Sequence, residues 1–273
     1  MEPMELHPED MEALRRAKWL LEKPSFAVRL AETIGSPIER GFGLLPEKWT
    51  AVVHRAVNDS LTRALAVAVK SLQTRARGPA PARNRTHKLA VAMTGAAGGA
   101  FGLAGLAFEL PISTVLMLRS IAEIARSEGE DLSQLEARLA CLEVFALGGG
   151  GKSDDAAETG YLAIRAALAR SVSEAVKYVA ERGVLESSSP ALVRLITSVG
   201  ARFGVAVSEK IAAMAVPVLG AAGGAAINSM FISHFQDVAR GHFTIRRLER
   251  RYGAQAVQQL YLETALPARS QIQ

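Results

Sequence analysis

The hexapeptide Gly-Ala-Ala-Gly-Gly-Ala occurs twice in the chain, at Gly95–Ala100 and at Gly220–Ala225. Each copy lies inside a long stretch that has no Asp, Glu, Lys or Arg. Leu89–Phe108 runs for 20 residues without a formal charge, and Ile211–Gln236 for 26. Gly95, Gly98, Gly99, Gly102 and Gly105 follow one another at steps of three, one, three and three, which gathers them on one face of a helix. An interior glycine costs about 1 kcal/mol relative to alanine. A face built from several of them makes sense only where another backbone lies against it, as in close helix pairs of the small-xxx-small type. The second copy supplies the matching face through Gly220, Gly223 and Gly224. The chain is therefore expected to form an all-α multi-helix bundle around two packed Gly/Ala-rich apolar helices.

The rest of the pattern is helical too. No run alternates as a half-buried strand would, and apolar residues recur every three or four positions. Pro8–Glu22 reads as an amphipathic helix. Pro24, Gly35-Ser-Pro37, Gly41, Gly43 and Pro46 then punctuate an irregular stretch. A long helix is expected from Glu47 to Thr74, with Val53, Val57, Leu61, Leu65, Ala68 and Leu72 as its buried stripe. Gly78-Pro-Ala-Pro81 closes it. Pro111 is expected to break the first glycine-rich helix, Gly129 to end the next one, and Ser133 or Asp131 to cap a helix over 132–147. Gly148–Gly151 reads as a flexible joint. A further helix should run from Asp154-Asp155 to Arg182, followed by two or more between Ala191 and Ala239 with Pro217 dividing them. The last helix, Thr244–Ala265, should be interrupted at Gly253. The organisation is then an N-terminal amphipathic and irregular segment (1–46), a helical domain (47–265) and a frayed tail (266–273).

Composition narrows the class. Hydrophobic residues make up 49% and charged residues 22%, a globular mix that argues against disorder and against many membrane spans. The single cysteine, Cys141, permits no internal disulfide, and its apolar neighbours read as a buried thiol. The N-terminus lacks a basic region followed by an apolar run, so the chain reads as cytoplasmic or attached to the cytoplasmic face of the inner membrane. The net charge of +5 is unevenly spread. Arg75, Arg77, Arg83, Arg85 and Lys88 precede the first charge-free stretch, and Arg240, Arg246, Arg247, Arg250 and Arg251 follow the second. Basic clusters on both outer flanks of apolar helices favour an anionic membrane surface, or membrane proteins, as partners. They lack the interleaved aromatics that single-stranded nucleic acid requires, so no nucleic-acid partner is expected.

Chemistry-bearing motifs are few. Ala146-Leu-Gly-Gly-Gly-Gly-Lys-Ser153 fits a relaxed phosphate-loop pattern, but such a loop follows a buried strand, and the preceding residues here read as helix. His234 and Asp237 are three apart on one helix face, with His242 nearby. They would need a third group from elsewhere to bind a metal or to act as a base. Glu109 closes the first charge-free stretch, and Arg119 and Glu123 are spaced to pair across a turn. Asn228 falls inside the second stretch and needs a partner if buried. Glu109, Arg119, Asn228, His234 and Asp237 are accordingly the candidate ligand-binding residues. No catalytic residue, metal ligand or cofactor is assigned.

One family matches this arrangement. Thr94-Gly-Ala-Ala-Gly-Gly-Ala-Phe-Gly-Leu-Ala-Gly-Leu-Ala-Phe-Glu-Leu-Pro111, then Leu116-Met-Leu-Arg-Ser-Ile-Ala-Glu-Ile-Ala125 and Val144-Phe-Ala-Leu-Gly148, resemble the core of the EcsC family. Val216-Pro-Val-Leu-Gly-Ala-Ala-Gly-Gly-Ala-Ala-Ile-Asn228, with Phe243 and Leu248-Glu-Arg-Arg-Tyr252, resembles its C-terminal half. Glu109 stands where many members carry Asp before the proline. The resemblance implies a bacterial, mostly helical protein. The family takes its name from a member encoded beside components of an ABC transporter, and it supplies no catalytic residues to carry over. The leading expectation is a non-enzymatic, membrane-associated accessory protein. The alternatives are a soluble helical carrier or sensor that binds a lipid or other apolar ligand between the glycine faces, and a hydrolase using His234 and Asp237.

Overall fold

A computed structural model describes residues 6–22, 26–34, 38–70, 109–150, 160–182, 189–215 and 220–265. Among these residues it is all-α, and ten helices pack together. They are α1 (Pro8–Glu22), α2 (Phe26–Ile34), α3 (Ile38–Gly43), α4 (Trp49–Lys70), α5 (109–127), α6 (Leu135–Leu147), α7 (Gly160–Arg182), α8 (Pro190–Ala215), α9 (Gly220–Tyr252) and α10 (Ala254–Glu263). The first glycine-rich hexapeptide, with Gly95, Gly98, Gly99 and Gly102, lies outside the described residues. The basic run from Arg75 to Lys88 and the 266–273 tail lie outside them as well.

Periodicity explains most elements. On α4, Val53, Ala56, Val57, Leu61, Ala64, Leu65 and Ala68 are buried, the steps of three and four that one inward stripe needs. α8 carries a wider stripe, from Leu192 through Val199 and Phe203 to Val207. It lies at the centre of the bundle and packs against α2, α3, α4, α6, α7 and α9. α6 is buried without interruption from Ala137 to Ala146, so its sequence shows no polar face. Among the described residues α8 alone is long and apolar enough to cross a membrane. Its central place in the bundle accounts for that apolarity.

Two glycines end helices through backbone geometry. Gly129 has φ +82° after α5, and Gly253 has φ +89° between α9 and α10, a region that L side chains rarely adopt. Elsewhere the structure departs from the sequence reading. Residues 26–34 and 38–43, expected to be irregular, form α2 and α3, which pack on α8. Pro111 falls in the first described turn of α5, a place where proline is tolerated, and the glycine-rich helix expected to end there lies outside the described residues. α6 begins at Leu135 behind Gln134, and the Asp131 side chain instead accepts bonds from the Ser133 backbone and hydroxyl. The joint expected at Gly148–Gly151 is not loose where it is described, because Gly148 and Gly149 are both buried.

Close approach explains those glycines. A Cβ on Gly148 would fall 2.6 Å from the Phe235 ring, one on Gly149 would strike the Arg202 backbone, and one on Gly41 would strike the Ala212 carbonyl. Gly204, inside α8, has nothing near its missing Cβ. Two opposite results are expected. Gly149→Ala should overpack the α6–α8 crossing and cost roughly 2–3 kcal/mol, read as a melting temperature lower by about 5–10 °C. Gly204→Ala should stabilise the protein by up to about 1 kcal/mol, because alanine is the better helix former.

The N-terminal helix closes on the C-terminal end of the chain. α1 lies along α9, with Leu21 and the Ala17 carbonyl against Gly241. Asp10 accepts bonds from Arg247 (3.2 Å), Arg251 (2.6 Å) and the Tyr252 hydroxyl (2.7 Å). The Tyr252 hydrogen bond, followed by the two guanidiniums, holds its carboxyl below the usual carboxylate range. Lys18 is 1% exposed. Its ammonium donates to the carbonyls of Tyr261 (2.9 Å) and Thr264 (2.7 Å), and so satisfies last-turn carbonyls of α10 that the helix leaves open.

Candidate functional site

Three helices meet at a buried charge. Glu109 begins the described part of α5 directly after the first charge-free stretch. Lys210 sits on α8, one residue before the second stretch, and Asn228 lies eight residues into α9. The Lys210 ammonium donates to Glu109 Oε1 at 2.8 Å, and Asn228 Nδ2 donates to the same oxygen at 3.3 Å. The three are 1%, 7% and 0% exposed in the order Lys210, Glu109, Asn228. The ammonium also lies 5.1 Å above the Phe231 ring, a favourable place for a cation. A buried ion survives only with a partner, and here each charge borders an apolar run that offers it no water.

From this point a polar seam follows α9. Gln236 donates to the Ser120 hydroxyl at 2.7 Å. Arg246 grips Glu130 with two bonds of 2.8 and 3.2 Å. The successive pairs Glu109–Asn228, Ser120–Gln236 and Glu130–Arg246 ascend together in residue number, so α5 and α9 run parallel. At the far end of the seam Arg250 also contacts Glu130, and its other nitrogen donates to the Glu128 carbonyl at 2.7 Å. Arg247 reaches the Glu128 carboxylate at 2.9 Å. Arg240 pairs with Asp237 at 2.7 Å. The basic cluster after the second charge-free stretch is thus engaged in internal ion pairs.

Beside the seam lies a fully enclosed titratable group. Tyr161 Oη and His242 Nδ1 are 3.0 Å apart, and His242 Nε2 is 3.8 Å from Glu143 Oε2. Arg165 is held by Glu249 through two bonds of 2.7 and 2.6 Å and approaches Tyr161 Oη at 3.5 Å. Burial pushes the Glu143 carboxyl up to about 7. Burial, with help from Arg165 and Arg246, pushes His242 well below its ordinary range. The same burial raises the Tyr161 phenol and the Cys141 thiol, which makes Cys141 an inert core group.

The residues singled out in the sequence divide among these places. Glu109 and Asn228 come together. Arg119 is partly buried on α5, apart from that pair. His234 packs on the Phe26 and Phe235 rings and donates from Nε2 to the Gly148 carbonyl at 2.8 Å, which closes the end of α6. Asp237 is bound to Arg240. His234 therefore braces a helix end. Gly223 is partly buried and Gly224 buried near the start of α9; Gly220 opens that helix. The phosphate-loop pattern is preceded by α6 rather than a strand, and its first glycines serve helix packing. Among the described residues no group of three or more His, Cys, Asp or Glu is placed to hold a metal ion.

Sequence reasoning missed Lys210, Glu143, Tyr161 and the Arg165–Glu249 pair. For Lys210 a signal was present. It and Glu109 are opposite charges, each at the border of a charge-free run. In comparisons with known proteins, the model of the EcsC protein family matches residues 10–248. No curated protein and no solved structure matches the chain.

Proposed function

Since the chain belongs to the EcsC protein family, we propose that it is a non-enzymatic accessory protein that attaches to a membrane by one apolar end of its helical body. The observation that carries this reading is the meeting of Glu109, Lys210 and Asn228. The first charge-free stretch ends at Glu109, and the second begins beside Lys210. The far end of the seam is closed by Asp10, Glu128, Glu130 and four arginines. The body is thereby polarised along α9, which at 33 residues is about 50 Å long. Shallow or re-entrant insertion suits such an end better than two full spans, because the 100 or so residues between the stretches need no translocation. The electrostatic part of the attachment falls to the run from Arg75 to Lys88, since the α9 arginines are engaged internally. Anionic lipid on the cytoplasmic face of the inner membrane is the matching surface.

One observation favours a second reading. Ile211, Ala212, Ala213, Ile227, Phe231, Ile232 and Phe235 of the second charge-free stretch are buried in the protein core. A soluble carrier that holds a lipid or other apolar molecule against the first stretch would use them in that way.

Flotation of detergent-free protein with vesicles separates the two. The membrane reading expects flotation with anionic vesicles that survives high salt and alkaline carbonate. Protein that stays unbound and monodisperse with every vesicle would sink it. Extraction of a co-purified apolar molecule would then support the carrier.

A further inference from the structure

We infer that the corner between α3 and α4 is the edge that meets the lipid interface. The inference rests on the membrane reading above and adds to it a surface formed by residues outside both charge-free stretches. Gly41 of α3 lies against the Ala212 carbonyl, two residues past Lys210 on α8. The corner is therefore at the apolar end of the body, beside the point where the second stretch begins.

The side chains at this corner do not follow the pattern of a solvated turn. Leu44 is 57% exposed, the highest value of any large hydrophobic residue among those described, and Val52 is 40% exposed. Between them Trp49 stacks on Phe42 with ring centroids 5.6 Å apart, and both rings are partly buried. Ile112, three residues beyond the buried Glu109, is 53% exposed at the same end. Around this apolar centre, among the side chains described from Arg40 to Arg55, Arg40, Lys48 and Arg55 are exposed against one exposed carboxylate, Glu47, and Asp59 is exposed one turn further along α4. Exposed aliphatic side chains with a tryptophan between them and cations at the margin are what the headgroup boundary of an anionic bilayer selects. The aromatic ring takes the interfacial layer, the aliphatic tips reach the acyl boundary and the cations stay with the phosphates. The charge balance matches an anionic headgroup layer as the occupant.

Trp49 makes the edge directly observable. The chain has two tryptophans, so Trp19→Phe leaves Trp49 as the only one. On mixing with vesicles of phosphatidylglycerol and phosphatidylcholine, Trp49 emission should shift to the blue. Lipids brominated near the headgroup should quench it more strongly than lipids brominated deep in the chain. In the otherwise unaltered protein, Leu44→Glu and Val52→Glu should each weaken partitioning about tenfold. Both sites are exposed, so circular dichroism melts should match the parent. If the protein floats but Trp49 emission is unmoved, or both Glu variants partition like the parent, this edge is not the docking surface and the membrane reading stands. If no form of the protein binds vesicles, both proposals fall together.

Discussion

Lys210→Met is expected to lower the unfolding free energy by roughly 3–5 kcal/mol, because it leaves Glu109 charged, buried and without its cation. The melting temperature should fall by about 10 °C or more. Asn228 would still donate to Glu109, but one amide at 3.3 Å cannot replace an ammonium at 2.8 Å. The double variant Lys210→Met, Glu109→Gln should recover most of the loss. It removes both charges, and Asn228 can still donate to the side-chain oxygen at position 109. A double-mutant cycle measured by urea unfolding gives the coupling directly. If the single variant costs less than about 1 kcal/mol, or the double variant is worse than the single, the pair does not hold the three helices as described.

The second large effect is a dependence on pH with opposite signs at two neighbouring residues. Burial raises Glu143 from 4.5 to about 7. A raised acid binds its proton more tightly in the folded state, so its contribution is complete below about pH 4.5 and is lost as pH rises to about 7. His242 is depressed well below 6.5. Its contribution is complete above about pH 6.5 and is lost as pH falls. Between these limits the two trends oppose each other. Glu143→Gln removes one trend. Its stability relative to the parent should improve by roughly 3 kcal/mol between pH 4.5 and 7. His242→Gln should move the other way, improving relative to the parent as pH falls below 6.5. Taking each difference against the parent cancels Glu209, another carboxyl that burial pushes to about 7. Parallel curves for Glu143→Gln and the parent across that range would refute the assignment.

The helices were legible in the sequence wherever one face is buried and one solvated. The stripe from Val53 to Ala68 located α4, and Gly129 and Gly253 marked two ends because a positive φ needs glycine. Three features were hidden for physical reasons. α3 is six residues long, too short to be stable alone, and it packs on α8, so punctuation by Gly and Pro outweighed it on paper. Gly148 and Gly149 have the composition of a flexible linker, but what selects them is the nearness of α8 and α9. The α9 arginines announce their charge and nothing about its destination. Their partner Asp10 is 237 residues before Arg247. The candidate site was half legible for the same reason. Glu109 and Asn228 stood out as polar groups in apolar surroundings, whereas Tyr161, Glu143 and His242 come from three separate helices, and periodicity does not say which helices are neighbours.

The seating of α1 on the end of α9 bears on how the chain is made. A ribosome adds about 5–20 residues per second, so α1 emerges tens of seconds before Arg247, Arg251 and the carbonyls that Lys18 holds. Throughout that time Asp10 lacks Arg247, Arg251 and Tyr252, Lys18 lacks the two carbonyls of Tyr261 and Thr264, and the face of α9 on which α1 packs does not yet exist. α1 therefore precedes its seat in synthesis, and the step that locks it waits for α9 and α10 rather than for the helices nearest it in sequence. Until α9 and α10 are made, the fifteen residues of α1 are too few to hold a stable helix alone, so α1 takes its final form only on the surface those later helices provide.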